Sequence, residues 1–271
     1  MGDAKRLIVK TIGVQDAKKI VRSLHYSGKV DPRSKLHYGI FLDGKCGGAI
    51  QLGDPIDKRK ALPTVENTLW NGMLDLHRLA FADWLPRNSE SRAIAYMMRH
   101  IRKTYPHIQW VQSYADATQC GDGIIYRASG FHLIGLKANN SMYRMPDGNV
   151  CCKIVFEPGF SGNPKEGSIK AKYGKSGSET AGVFLKKIGA QVIPGFQLRY
   201  IYFLDPSARQ RLTVPILPFS EIDRRGAGMY KGKPRVRSVD SDTSGDQPEM
   251  GGANPTRTLS IPASHLSNGD E

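Results

Sequence analysis

The chain has 271 residues, enough for one large domain or two small ones around a buried core. At 39% hydrophobic and 24% charged residues it is neither collagen, coiled coil nor wholly disordered, and no apolar run approaches the roughly 18 residues of a membrane helix. The 39 Lys and Arg against 25 Asp and Glu give a formal charge of +14, which points to a polyanionic partner such as nucleic acid or an acidic cofactor.

That charge is uneven. From Val236 to Glu271 two cations face six anions, net −4, leaving +18 on residues 1–235. The tail, rich in Ser, Gly, Asp and Pro, has no apolar periodicity and reads as disordered, so residues 1–235 are expected to form the folded domain. The N-terminus lacks a signal-peptide core, and Cys46, Cys120, Cys151 and Cys152 form no C-x-x-C pair. A cytoplasmic, reducing setting is expected, with no zinc site built on these thiols.

Arg6–Lys10 reads as a strand. Asp16 is expected to cap a helix carrying Ala17, Ile20, Val21 and Leu24 at helical spacing, closed by Gly28. Leu36–Leu42 and Cys46–Leu52 flank Asp43-Gly44, a strong hairpin signal because both turn positions need positive φ. A basic loop with Lys58-Arg59-Lys60 leads to a strand over Leu74–Ala82. Asn88 or Ser89 caps the best helix, whose apolar stripe is Ile94, Met97, Met98, Ile101 and Tyr105, and Pro106 ends it. Trp110–Tyr114 is a strand, Asp122 or Gly123 to Ser129 a short helix with Gly130 as its cap, and Phe131–Leu136 a strand. A hairpin turns at Pro146-Asp147-Gly148, residues 159–182 read as a mobile loop, and Phe196–Leu204 is the last strand. Together these predict an α/β fold with one mixed central sheet.

Motifs exclude several chemistries. There is no D/N-P-P-Y/F box of adenine methyltransferases, no G-x-G-x-x-G loop, no complete P-loop, and no helix-turn-helix or zinc-finger spacing. Two features remain. After the strand ending near Ala82, Leu85-Pro86-Arg87-Asn88-Ser89-Glu90-Ser91-Arg92 enters the best helix, and its N–H groups, serines and arginines suit a pyrophosphate. On these residues alone an ordinary capped helix is the simpler reading. Tyr126, one turn before Gly130-Phe131, is the second feature, although a half-buried helix tyrosine is usually core.

The order of elements and Tyr-x-x-x-Gly-Phe resemble the GCN5-related N-acetyltransferase fold. Leu24-His25-Tyr26-Ser27-Gly28-Lys29, Leu85–Ala93, Gln119-Cys120-Gly121-Asp122-Gly123 and Tyr126-Arg127-Ala128-Ser129-Gly130-Phe131 together resemble the Mom family of bacteriophage DNA-modification proteins. That resemblance implies conversion of adenine in DNA to N6-carbamoylmethyladenine, which shields phage DNA from host restriction enzymes. It implies acetyl-CoA or a related acyl-CoA held by Arg87, Asn88, Ser89, Ser91 and Arg92, and bound iron with no ligands identified. Tyr126, Asp116, His25, Tyr26 and Arg78 are the expected catalytic residues. Each has a plainer alternative: His25 and Tyr26 as helix-end packing, Arg78 as a partner of Asp75 or Asp116, Asp116 as a turn former.

The expected partner is double-stranded DNA, gripped by Lys29, Arg33, Lys35, Lys58, Arg59 and Lys60, with the cation-rich Lys165–Lys175 a further candidate; a homodimer is left open. Two other functions stay open. One is an acetyltransferase acting on a small amine or a protein lysine, against which the unusual pyrophosphate loop weighs. The other is a DNA-binding module without catalysis.

Overall fold

The computed structural model describes residues 3–158, 167–230 and 233–234. The acidic tail and the 159–166 part of the expected loop lie outside the described residues. In chain order the elements are β1 (Ile8–Thr11), α1 (Val14–Leu24), β2 (Ser34–Leu42), β3 (Lys45–Gly53), α2 (Lys58–Ala61), β4 (Met73–Phe81), α3 (Ser89–Thr104) and β5 (Trp110–Asp116). There follow α4 (Ile124–Ala128), β6 (His132–Ala138), β7 (Met142–Arg144), β8 (Val150–Cys152), α5 (Ile169–Lys172), α6 (Ala181–Lys187), β9 (Gln191–Val192), β10 (Phe196–Phe203) and α7 (Ser220–Arg224).

The main sheet has seven strands in the order β1-β2-β3-β4-β5-β10-β6, all antiparallel except the parallel pair β4–β5. The mixed α/β sheet expected from sequence is therefore present, and β10 inserts between β5 and β6. The Asp43-Gly44 turn has φ of 50° and 79°, as the hairpin signal demanded. Its neighbour at Pro146-Asp147-Gly148 also turns, with Gly148 at φ 82° joining β7 to β8.

One sheet face packs on α3 through Ile94, Met97, Met98 and Ile101 against Leu74, Leu76, Val111 and Leu198, the largest core. Burying such a stripe is what holds a long helix in place. The other face meets α1 through Ile20, Val21, Ala49 and Ala80, and a second cluster gathers Ala61, Val65, Met73, Trp110 and Ile201. Between β6 and β10 the chain builds a small three-stranded sheet, β8-β7-β9, whose core is Met145, Cys151, Phe156, Phe184 and Leu185. Among the described residues no helix is long and apolar enough to cross a membrane.

Local expectations shift in four places. Gly13, not Asp16, is the N-cap of α1; Asp16 sits in the first turn, where the helix dipole favours an acid. Lys58-Arg59-Lys60 is one turn of helix because the Asp57 carboxylate accepts the Lys60 N–H at 3.3 Å. β5 runs on to Asp116, since β10 continues the ladder to Gln197 opposite it. Within the segment read as a mobile loop, Ser168 and Thr180 cap α5 and α6 with their hydroxyls.

Candidate active site

The parallel ladder of β4 and β5 runs only from Met73 opposite Trp110 to Leu76 opposite Ser113. Beyond it β4 stays paired with β3 as far as Phe81, and β5 stays paired with β10 as far as Asp116. The two strands thus part at their carboxyl ends, which is where open α/β sheets bind ligands. Ser113 marks the apex, its buried hydroxyl donating to the Leu76 carbonyl at 3.3 Å. β4, α3 and β5 form a crossover that brings the N-terminus of α3 to the same end.

His25 and Tyr26 enter from the end of α1. The His25 N–H bonds to the Val21 carbonyl at 3.0 Å, and Gly28, at φ 59°, returns its N–H to the His25 carbonyl at 2.8 Å. The rings lie 4.2 Å apart. His25 Nδ1 accepts the Ser27 N–H at 3.2 Å, which leaves the ring proton on Nε2. Burial, then the nearby Arg78 guanidinium, lowers His25 to about 4, so it is neutral at physiological pH. Desolvation of the Tyr26 hydroxyl, then the neighbouring Cys120 and Asp116, raises its pKa well above the usual tyrosine value, while Arg78 opposes the rise. Arg78 donates to the carbonyls of Lys29 at 2.8 Å and His77 at 2.6 Å, rather than pairing with Asp75 or Asp116.

Asp116 opens a tight turn. Its carboxylate accepts the Thr118 N–H at 3.0 Å, Gln119 Nε2 at 3.1 Å and Asn139 Nδ2 at 3.3 Å, and its carbonyl accepts the Cys120 N–H at 2.8 Å. The turn-forming role is thus real, and it coexists with a place beside Tyr26. Cys120 is raised by burial, and its thiol donates to the Asp116 carbonyl at 3.1 Å. Tyr126 comes from α4, where Gly123 (φ 82°) starts the helix and the Phe131 N–H returns to the Tyr126 carbonyl at 3.0 Å past Gly130 (φ 82°). Its ring packs on Phe131 and Tyr200, each 5.3 Å away. Burial holds its hydroxyl protonated far above the usual tyrosine value, and the nearby Ser113 hydroxyl opposes the rise. The five expected catalytic residues are therefore brought together.

Sequence reasoning missed the floor beside them. On the α1 side of the sheet, Asp75 Oδ2 accepts Gln112 Nε2 at 3.4 Å, and Gln112 Oε1 accepts Arg199 at 2.7 and 3.2 Å. Arg199 also donates to Thr64 at 2.6 Å. The available signal was the alternation Gln112, Tyr114, Asp116 in a central strand, where both faces should read apolar. Burial pushes the Asp75 carboxyl up to about 7, against the pull of Gln112 and then Arg33. A carboxyl raised on folding stabilises fully below its unfolded value near 4, and that contribution is lost as pH rises through 7. Asp75→Asn keeps an acceptor for Gln112 and removes the buried charge. Stability from urea titration should accordingly rise at pH 8, by about 4 kcal/mol, and hardly change at pH 4; equal shifts at both pH values would contradict the assignment.

The α3 entry is only partly as expected. Asn88 caps it in the left-handed region (φ 69°) without a side-chain bond, and Arg87, Asn88 and Arg92 are exposed. Ser89 is buried with its hydroxyl turned to the Pro86 carbonyl, and Ser91 turns its own to the Asn88 carbonyl at 3.2 Å. Arg92 reaches the Lys5 carbonyl at 3.2 Å. A pyrophosphate here fits the backbone of the first turn and the Arg87 side chain, and not the Ser89 hydroxyl.

Among the expected phosphate-gripping cations, Lys29, Arg59 and Lys60 are exposed. Arg33 is held by Asp31, and Lys35 and Lys58 share Asp54 at 2.5 and 2.7 Å. Iron does not fit: among the described residues no three His, Cys, Asp or Glu side chains converge as a metal would need.

The model of the Mom protein family matches residues 6–221. The chain belongs to the Mom protein family. It is 34% identical over 215 residues to the methylcarbamoylase mom of Escherichia phage Mu, covering 79% of this chain and 82% of that protein. Solved structures of similar fold include the ribosomal-protein-S18-alanine N-acetyltransferase of Escherichia coli, at 9% identity and TM-score 0.39 over 73% of this chain and 94% of that one. Another is FeeM, an N-acyl amino acid synthase from uncultured soil microbes, at 14% and 0.39 over 77% and 96%. The Mom match spans the sheet, the gap and every residue placed there, and ends in α7.

Proposed function

We propose that the chain is a phage DNA-modifying transferase that converts the N6 amine of adenine in double-stranded DNA to the carbamoylmethyl form, protecting that DNA from host restriction enzymes. The observation that carries the reading is the convergence of Tyr26, Arg78, Asp116 and Tyr126 at the parted ends of β4 and β5 in a Mom-family chain. The adenine amine is conjugated with its ring and barely basic, so bond formation needs a proton acceptor and a donor in place. Such a pair contributes about 10²–10⁴-fold. Asp116 supplies the acceptor charge beside Tyr26, and Tyr126, held protonated, supplies the donor. Neutral His25 presents Nε2–H, and Arg78 stabilises negative charge as it develops.

An acyl-CoA, bound by the first turn of α3 and Arg87, would supply an activated two-carbon unit. Simple acetyl transfer joins N6 to a carbonyl carbon, whereas the carbamoylmethyl product joins N6 to a CH₂ and ends in an amide. The donor must therefore differ from plain acetyl-CoA: it must carry on its CH₂ a leaving group that departs, with the proton given by Tyr126, as the N6–C bond forms, and it must bring the amide nitrogen with it. The target base is stacked within duplex DNA, and flipping it out costs a few kcal/mol.

The test is to express the protein, digest host DNA to nucleosides and weigh the adenosines. Wild type should yield adenosine heavier by the carbamoylmethyl increment, and Tyr126→Phe should reduce that yield by about a hundredfold or more. Acetylated protein or amine without modified adenosine would favour the acetyltransferase reading, and neither product would favour a binding module. DNA affinity should fall with salt with a log–log slope near −0.9 per phosphate contacted, measured by titration at rising salt; a flat dependence argues against a duplex partner.

A further inference from the structure

β5 is an interior strand, bonded to β4 and β10, so both of its faces should be covered. Tyr114 on this strand is nevertheless 40% exposed. The opening lies on the α1 side, between α1, which packs on β2, β3 and β4, and the cluster around Met73, Trp110 and Ile201. Alternation along β5 puts Tyr114 on the same face as Gln112 and Asp116. Arg199 stands directly across from it on β10, with its guanidinium carbon 6.0 Å from the centre of the Tyr114 ring. That guanidinium is itself fixed by Gln112 and Thr64, so the ring lies against a rigid cationic backing.

An exposed aromatic ring, backed by a fixed arginine and two residues from Asp116, has the chemistry of a stacking platform for a flat, electron-rich heterocycle. We infer that Tyr114 is the platform on which the extruded target base stacks, with Arg199 as the positioning residue that holds the ring. The inference rests on the adenine-modifying reading and names the subsite that reading needs. On the adenine-modifying reading the stacked base is adenine, and its N6 amine would lie toward Asp116, which stands on the same face one pleat further along β5. Stacking accepts any base, so the platform adds affinity for an unstacked nucleotide and leaves the choice of adenine to neighbouring polar groups.

The test uses the full chain and a single-stranded oligonucleotide carrying one 2-aminopurine flanked by weakly stacking thymines, whose emission falls when the base stacks on an aromatic ring. Wild type and Tyr114→Phe should bind it and quench it alike. Tyr114→Leu, which keeps an apolar side chain but no π face, should bind roughly tenfold to a hundredfold more weakly and leave the emission bright. Arg199→Met should retain part of the quenching, because the ring remains and its backing is lost. The Phe variant guards against misfolding, and a melting curve of the Leu variant within a few degrees of wild type confirms its fold. Equal binding and quenching by wild type and Tyr114→Leu would overturn the platform. Nucleoside mass spectrometry separates the two ideas. Modified adenosine at wild-type level from Tyr114→Leu sinks the platform alone, whereas no modified adenosine from wild type, with quenching still dependent on Tyr114, sinks the reaction and keeps the base site.

Discussion

Arg78→Met is expected to lower the modified adenosine in host DNA by about a hundredfold while leaving the chain folded. Arg78 acts in two ways that a methionine cannot. Its Nε–H bonds to the Lys29 carbonyl and its Nη1–H to the His77 carbonyl, fastening the segment after α1 to β4 across 49 residues of sequence. That segment passes close over the sheet: a Cβ on Gly53 would stand 2.0 Å from the Arg33 carbonyl oxygen. His25 and Tyr26 ride on its start, so loosening it displaces both. The guanidinium also supplies the cationic field in a cluster otherwise containing Asp116, Cys120 and two tyrosines; it pulls Tyr26 back toward ordinary acidity and, second to Ser113, does the same for Tyr126. Without it both hydroxyls hold their protons more tightly, and His25 regains basicity because its second depressing influence is gone. Arg78→Lys keeps the charge but places one ammonium where a fork spanned two carbonyls, and should recover only part of the yield. Nucleoside mass spectrometry measures the yield, and a melting temperature within several degrees of wild type shows that the loss is not unfolding. Undiminished yield from the Met variant would remove Arg78 from the site.

The elements were legible because their signals are local. The stripe Ile94, Met97, Met98 and Ile101 fixes α3, and Asp43-Gly44 fixes its hairpin, each through backbone rules that act within a few residues. The candidate cluster was reached through resemblance: nothing in the spacing of His25, Arg78, Asp116 and Tyr126 says that they meet. They meet because a ladder stops at Leu76 and Ser113, a property of strand pairing that one chain's sequence does not display. The floor of Asp75, Gln112 and Arg199 escaped for a related reason. Each is an unremarkable polar residue alone, and only β10, inserted between β5 and β6, brings Arg199 beside Gln112 across 87 residues. The inward turn of Ser89 was likewise invisible, since a serine at a helix start reads as a cap or a ligand contact whichever way its hydroxyl points.

Asp116→Ala should both abolish modification and loosen the protein, and Asp116→Asn separates the two effects. The carboxylate gathers three donors from two pieces of chain: the Thr118 N–H and the Gln119 side chain of its own turn, and Asn139, where the chain leaves β6 for the small sheet. Asn139 in turn accepts the Ser141 N–H at 3.0 Å through its Oδ1, so the geometry of that exit depends on Asp116. Alanine leaves all three donors without their acceptor in a partly buried turn, at a cost of about 2–3 kcal/mol, and denaturant midpoints should fall accordingly. Asparagine retains one oxygen, enough for the Thr118 N–H and Asn139, and turns an amide donor toward Gln119, which can flip its own amide to answer it. Its stability should therefore lie within about 1 kcal/mol of wild type. Yet it carries no charge and cannot accept the proton of the adenine amine, so its yield of modified adenosine should fall with that of alanine, by about a hundredfold or more. A stable, fully active Asn variant would reduce Asp116 to the turn former that its hydrogen bonds already make it. A stable, inactive one would separate the charge from the scaffold, because the same three partners would be held in both proteins.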